Sequence, residues 1–294
     1  MDVSSSASNL FATGPFSHRF LDANGARLHA VTANLDPDTT PDRVVILLHS
    51  YPQHWYAWRH VLAAAPEIGL PLVALDLRGH GASDKPPSQF ALPTLAADVA
   101  GVISTLGARE AILVGHGLGG VVARGAAARV PESVTRVITV SSPHPATWQL
   151  HRSARLRAHL AYLLAPQLPE RGHTRGTAVA TAITELTEPT SPVRELAASY
   201  ATDLRSPFAA RCVVEQLRWL IRARRRPSGR QFLAELERAY WIVPVTELYG
   251  EAEQLFAPAS FADDARCVPG GHFLPEESPE PIIAAIAAAA TERE

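Results

Sequence analysis

Along the first half of the chain, short apolar runs alternate with longer stretches in which apolar positions recur at helical spacing. Residues 44–48, Val-Val-Ile-Leu-Leu, carry no polar side chain, the pattern of a strand covered on both faces. Residues 72–77, 111–114 and 137–140 repeat that character, and the stretches 55–65, 94–106 and 118–130 between them read as helices. Ahead of these, 16–21 and 27–33 read as strands flanking Asn24-Gly25, a pair that supplies the positive φ angles of a two-residue hairpin turn. Strand alternating with helix predicts an α/β fold, a mostly parallel central sheet flanked by helices.

The alternation stops near residue 145. From 145 to 240 the chain reads as helical, rich in Arg, Ala and Leu, and punctuated by Pro166, Pro169, Gly172, Pro189, Pro192 and Pro207. Strand character returns at 242–249 and 265–268, and 279–290 closes as a helix. The predicted organisation is a flexible N-terminus over 1–12, a core formed by 13–144 and 241–294, and an inserted helical cap over 145–240. No internal repeat is visible.

Composition narrows the function more than the fold. The 294 residues, 47% of them hydrophobic, suffice to bury a substantial core. A formal net charge of -2 provides no field for nucleic acid or an acidic membrane surface. No apolar run approaches the about 20 residues of a membrane span, and the Ser-rich start lacks the basic and apolar regions of a signal peptide. The expected partner is therefore a small-molecule substrate and the expected compartment the cytoplasm, with the oligomeric state left open. Cys212 and Cys267 have neither metal-ligand nor redox spacing, so neither metal nor cofactor is expected. The single lysine, Lys85, sits in the turn-like Ser83-Asp84-Lys85-Pro86-Pro87, which disfavours Schiff-base chemistry. Arg222 to Arg226 read as a solvated helix end.

The most informative segment is Gly115-His116-Gly117-Leu118-Gly119-Gly120, lying between a predicted strand and a predicted helix. It satisfies G-x-G-x-x-G, but a dinucleotide fingerprint expects an acidic residue about 20 positions later, at the end of the next strand, where this chain has Ser141 and Ser142. The same strand-turn-helix context suits a nucleophile elbow. There the central residue, Gly117, would stand in a strained backbone conformation that glycine meets at little cost, so a relaxed turn without catalysis is the plain alternative.

Four further segments carry a resemblance. His49-Ser50-Tyr51-Pro52 with the following Gln53-His54-Trp55-Tyr56-Ala57-Trp58-Arg59 is similar to the His-Gly-Phe-Pro loop and helix of epoxide hydrolases and of haloalkane or haloacid dehalogenases. Asp76-Leu77-Arg78-Gly79-His80-Gly81-Ala82-Ser83 looks like the structural Asp-x-Arg-Gly-x-Gly-x-Ser segment of that branch. Ser142-Pro143-His144-Pro145 resembles its approach to the cap, and Gly270-Gly271-His272-Phe273 its catalytic histidine loop. In the order shared with that family, these imply the α/β-hydrolase fold over nearly the whole chain.

The resemblance also implies where this chain departs. Hydrolytic members attack with Ser or Asp at the position of Gly117, which has no attacking atom. The family acid falls on Glu253 of Gly250-Glu251-Ala252-Glu253, with Glu251 the lesser candidate, and Glu253 would orient His272 as acid/base. The oxyanion donors would be the backbone amides of Tyr51 and Leu118, which do not depend on residue type. No tyrosine occurs between Ala201 and Ala239, where epoxide hydrolases carry a proton-donating cap tyrosine; Tyr200 is the candidate for the other cap aromatic. His49 and His116 read as structural. Ser50, His144, Trp148, Tyr200 and Trp219, with His54 beside them, are the candidates for reaching a pocket.

A base and an oxyanion hole without a nucleophile suit proton-transfer chemistry. The sequence therefore predicts a cofactor-independent, non-hydrolytic enzyme, a lyase, cyclase or isomerase acting on a bulky, apolar carbonyl compound, and the resemblance to nucleophile-less members of this fold that tailor secondary metabolites implies a polyketide-like substrate of secondary metabolism. Hydrolysis by a His272-activated water, without a covalent intermediate, is one alternative. A catalytically inactive ligand-binding or scaffold protein is the other.

Overall fold

The structure, a computed structural model, describes residues 8–36, 38–151 and 153–292. Its strands are β1 (Ser17–Ala23), β2 (Ala26–Ala33), β3 (Arg43–Leu48), β4 (Leu72–Leu75), β5 (Glu110–His116), β6 (Val134–Val140), β7 (Val245–Gly250) and β8 (Arg266–Val268). They form one sheet in the order β1-β2-β4-β3-β5-β6-β7-β8. The β1–β2 and β2–β4 pairs are antiparallel and the remainder parallel. The helices are α1 (Arg59–Ala63), α2 (Ala65–Ile68), α3 (Leu92–Leu106), α4 (Leu118–Arg129), α5 (Ala154–Leu164), α6 (Leu168–Thr174), α7 (Thr177–Leu186), α8 (Val193–Asp203), α9 (Pro207–Arg222), α10 (Pro227–Tyr240), α11 (Leu274–Glu277) and α12 (Glu280–Thr291).

Side-chain alternation along the parallel strands feeds two layers. One face packs Val44, Ile46, Val73 and Leu113 against α3 and α4. The other packs Val45, Leu47, Ala74 and Val114 against Trp55, Trp58, α1 and α12. Val44 to Leu48 have no solvent exposure, because β3 lies between β4 and β5 with helices on both sides. The hairpin closes at Asn24-Gly25, with φ of 48° and 72°, and Ala23 opposite Ala26.

One expectation is corrected, and two are set beside the packing. The single helix predicted over 55–65 is a 3-10 turn at Trp55–Trp58 followed by α1 and α2, since Pro66 at the start of α2 cannot donate to a continuing ladder. Within the stretch 145–240 expected as cap, Phe232 and Leu236 of α10 pack with α4, and a Cβ on Gly125 would meet the Phe232 ring at 2.8 Å. Of the N-terminus expected to be flexible over 1–12, residues 1–7 lie outside the described ones. The remainder is held down, with the Leu10 carbonyl accepting from Trp55 Nε1 at 2.8 Å and the Ala12 carbonyl 2.9 Å from His18 Nε2.

The cap proper, α5 to α9, follows β6 and has its own apolar centre. Val179, Ile183, Val193, Leu204 and Val213 meet there, and Tyr51 and Phe273 enter it from below. No helix among the described residues is long and apolar enough to cross a membrane.

Candidate active site

The loops leaving the carboxyl ends of β3, β5, β7 and β8 converge under the cap, in the crevice where ligands of open α/β sheets bind. Gly117 is the turn between β5 and α4, with φ 48° and ψ -112°, a conformation costly for an L-residue. Its N–H donates to the Val140 carbonyl at 3.0 Å and its own carbonyl accepts from Ser142 Oγ at 2.7 Å. The remaining glycines of the run serve close packing: a Cβ on Gly119 would meet the Leu48 carbonyl oxygen at 2.2 Å. The G-x-G-x-x-G spacing thus reflects α4 lying against β3.

His272 and Glu253 come together from the loops after β8 and β7. His272 Nδ1 lies 2.8 Å from Glu253 Oε1 and 3.0 Å from Oε2, with both residues buried. Glu253 Oε1 also accepts the Leu255 N–H at 2.8 Å. Burial pushes the Glu253 carboxyl up, but the charge and hydrogen bond of His272, the Leu255 N–H and the Ser141 hydroxyl outweigh it and hold the group below its ordinary range. An ionised Glu253 fixes the proton of His272 on Nδ1 and leaves Nε2 with a lone pair, the tautomer of a general base. Among the described residues Nε2 has no hydrogen-bond partner, and it stands 3.8 Å from where a Cβ on Gly117 would lie. Glu251, the lesser candidate, is exposed.

Ser50 changes the picture of the oxyanion side. Its hydroxyl oxygen accepts the Leu118 N–H at 3.2 Å, and it lies 2.2 Å from the Cβ position of Gly117. Of the two amides expected to face a substrate oxygen, the one on Leu118 is therefore covered by Ser50. The Tyr51 side chain turns upward instead, its hydroxyl 2.9 Å from Nε2 of His173 in the cap.

The loop carrying Ser50 and Tyr51 is anchored by the Asp76 segment. Asp76 accepts the backbone N–H groups of Trp55 and Ala82 at 2.8 and 2.9 Å, and its Oδ2 lies 2.7 Å from His29 Nδ1. Burial raises its pKa, but the hydrogen bond and charge of His29 and the nearby His54 and His49 reverse this and hold it well below the carboxylate range. His49 accepts the Leu77 N–H at 3.1 Å, and burial pushes its pKa down to about 3, in keeping with a structural role.

Ser50, Tyr51, Gly117, Leu118, Trp148 and His272 line one cavity of about 260 Å³ under the cap, and its remaining wall is largely leucine from α5, α7, α9 and α10. Three other candidates lie elsewhere. His144 turns back to accept the Ala146 N–H at 3.2 Å, capping the short turn after β6. Tyr200 is buried in the cap and donates to Glu276 Oε1 at 2.9 Å. Trp219 packs edge-on against Phe232, on the core side of α9. His54 is likewise diverted, with Nε2 3.0 Å from Asp203 Oδ2.

Reasoning from motifs missed the cap's polar contribution. His159 of α5, Glu185 of α7 and Arg224 also reach the cavity wall. Arg224, exposed as expected of a solvated helix end, also donates to the Pro145 and Ala146 carbonyls at 2.5 and 2.7 Å. Burial lowers the His159 pKa against the opposing pull of Glu185. These residues stand in no motif, and only the helical periodicity of α5 and α7 hinted at a face turned inward.

A second buried polar chain runs behind the histidine. Arg59, Tyr200 and Gln53 all contact the Glu276 carboxyl, Gln53 Oε1 lies 3.0 Å from His116 Nδ1, and His116 Nε2 lies 2.8 Å from the His272 carbonyl oxygen. Burial pushes the His116 pKa well down, with His272 adding to it. Burial raises that of Glu276 against the opposing pull of Arg59. The shift at His116 favours a neutral imidazole, and that at Glu276 makes its carboxyl easier to protonate.

The architecture, the elbow-like turn and the imidazole–carboxylate pair define an α/β-hydrolase-fold protein. The alpha/beta hydrolase fold family matches this chain over residues 43–266, and the chain belongs to that family. The AB hydrolase superfamily protein YfhM of Bacillus subtilis (strain 168) is 28% identical over 265 residues, which is 87% of this chain and 88% of that protein. Epoxide hydrolase B of Mycobacterium tuberculosis (strain ATCC 25618 / H37Rv) is 39% identical over 131 residues, covering 43% of this chain and only 35% of its own length. Among solved structures, epoxide hydrolase CorEH without ligand aligns with a TM-score of 0.72 and 26% identity over 92% of this chain and 96% of that one.

Proposed function

We propose that the protein is a cofactor-independent acid–base enzyme of lyase, cyclase or isomerase type, acting on a bulky apolar carbonyl compound of secondary metabolism. The observation that carries this reading is the Nε2 of His272, oriented by Glu253, facing Gly117 across a leucine-walled cavity. His272 Nε2 takes the proton α to the carbonyl, Glu253 stabilises the imidazolium that forms, and the developing enolate oxygen is held by hydrogen-bond donors on the opposite wall. His272 then returns the proton to carbon or to the leaving group. No covalent bond to residue 117 enters the sequence, because glycine has no side chain to form one.

The test is proton exchange on a small bicyclic ketone. The protein in D₂O should exchange the α-hydrogens of 2-tetralone, followed by NMR, at least about 100-fold faster than His272→Ala does. Equal rates in the two proteins would reject His272 as the base. A second reading rests on the epoxide hydrolases among the relatives: His272 activates water for direct hydrolysis. It predicts His272-dependent turnover of styrene oxide or p-nitrophenyl butyrate without a burst. Absence of both exchange and hydrolysis, with ligand binding intact, would leave a binding protein.

A further inference from the structure

Resting on the acid–base reading, we infer that the side-chain hydroxyl of Ser50 is a catalytic residue of this chain, the donor that meets the substrate's carbonyl oxygen in place of the Leu118 backbone amide. The Leu118 N–H is the first amide of α4 and carries the partial positive charge of a helix N-terminus. It donates to Ser50 Oγ at 3.2 Å. Among the described residues that is the only hydrogen bond of the Ser50 side chain, so its lone pair is engaged and its proton is not. Amide to hydroxyl to substrate oxygen is then a two-link chain in which the first bond polarises the second.

Steric geometry keeps the hydroxyl in place. Ser50 is buried, lines the cavity with His272, and its oxygen sits 2.2 Å from the Cβ position of Gly117, inside space that any side chain at 117 would claim. Glycine at 117 and serine at 50 are thus a matched pair. A donor role is favoured over a nucleophilic one by the same contacts. Among the described residues His272 makes no hydrogen bond to Ser50 Oγ, so the base is not aligned to remove that proton. The helix-terminal amide that an acyl-enzyme would need for its oxyanion is moreover engaged by the attacking oxygen itself.

Binding of an enolate mimic tests this without the natural substrate. The wild-type protein should bind 2-naphthol at least about tenfold more tightly than naphthalene, the contrast of one good hydrogen bond in a dry site. In Ser50→Ala the contrast should fall below about twofold while naphthalene affinity stays put, which also shows that the variant is folded. A contrast that survives Ser50→Ala overturns the proposal. So does a burst of p-nitrophenol from p-nitrophenyl butyrate with the butyryl mass on Ser50, which would make that residue the nucleophile. Failure of the acid–base reading is read separately: 2-tetralone exchange indifferent to His272→Ala rejects the base while leaving the 2-naphthol contrast standing.

Discussion

Placing a side chain back on position 117 probes the packing argument most directly. A Cβ there falls 2.2 Å from Ser50 Oγ and 2.9 Å from Ser50 Cβ. Rotating Ser50 about χ1 moves the oxygen but leaves the carbon, so one of the two turns must shift, an overpacking that costs about 1–3 kcal/mol. The φ of 48° adds roughly 1–3 kcal/mol for an L-residue. Gly117→Ser should therefore lose about 2–6 kcal/mol. Ser50→Gly, which gives up one hydrogen bond, should lose about 1 kcal/mol. In the double variant the overpacking disappears, so the losses should fall short of their sum by about 1–3 kcal/mol. Urea unfolding of the four proteins, followed by tryptophan fluorescence, measures that coupling. The same four proteins mixed with p-nitrophenyl butyrate should show a burst only in the double variant, where an introduced hydroxyl stands before His272 with the Leu118 amide uncovered. Additivity within about 0.5 kcal/mol would refute the claim that the two positions compete for one volume.

Three further outcomes are expected. On the natural substrate, once found, His272→Ala should lower kcat by about 100-fold or more with little change in binding, measured by steady-state kinetics and calorimetry. Glu253 has a depressed pKa in the folded protein, so its contribution to stability is complete above its ordinary value of 4.5 and fades as pH falls through the folded value. Glu253→Gln should therefore flatten the acid limb of a stability–pH curve, and an unchanged limb would contradict the pairing. Glu276 has the opposite sign: its pKa is raised, so stability is complete below 4.5 and declines as pH rises through the folded value. Glu276→Gln removes the titrating group and should lessen that decline, while its amide N–H₂ faces the donors Arg59, Tyr200 and Gln53 and costs about 1–3 kcal/mol at low pH; an unchanged decline would contradict the raised pKa.

The sheet was legible because its central strands are buried on both faces, and burial of that kind leaves runs such as Val44 to Leu48 with no polar interruption. The boundaries were less so. β6 starts at Val134, because Thr135 and Arg136 are half-buried and break the apolar run that pairing with β5 continues. The two ends of the His272–Glu253 pair could be named because the resemblance assigns each to a glycine turn at a strand end, where side chains project into the crevice. Neither the reach of a long side chain nor the orientation of a cap helix leaves such a mark. Trp219 therefore fell on a helix that lines the cavity but on a face turned away from it, and Tyr200 on α8, which does not reach the wall, while His159 and Glu185 went unnoticed. The covering of the Leu118 amide by Ser50 was equally hidden, since it depends on an approach between residues 68 positions apart.

The cap is fastened along several of its helices, and this governs how molecules exchange with the cavity. Tyr51 reaches His173 of α6, Tyr200 of α8 reaches Glu276, and Gln216 of α9 donates to the Arg78 carbonyl at 2.7 Å and meets His80 at 2.9 Å. Swinging the cap open would break these buried bonds together and expose the apolar centre it shares with Tyr51 and Phe273. Between α5 and α7, Leu156, Glu185 and Leu186 stand both on the cavity wall and on the wall of a polar surface depression of about 530 Å³. Rotamer changes take up to nanoseconds where collective domain motion takes microseconds or more, so with the cap fastened, side-chain motion at this gap is the faster way of widening the cavity's edge.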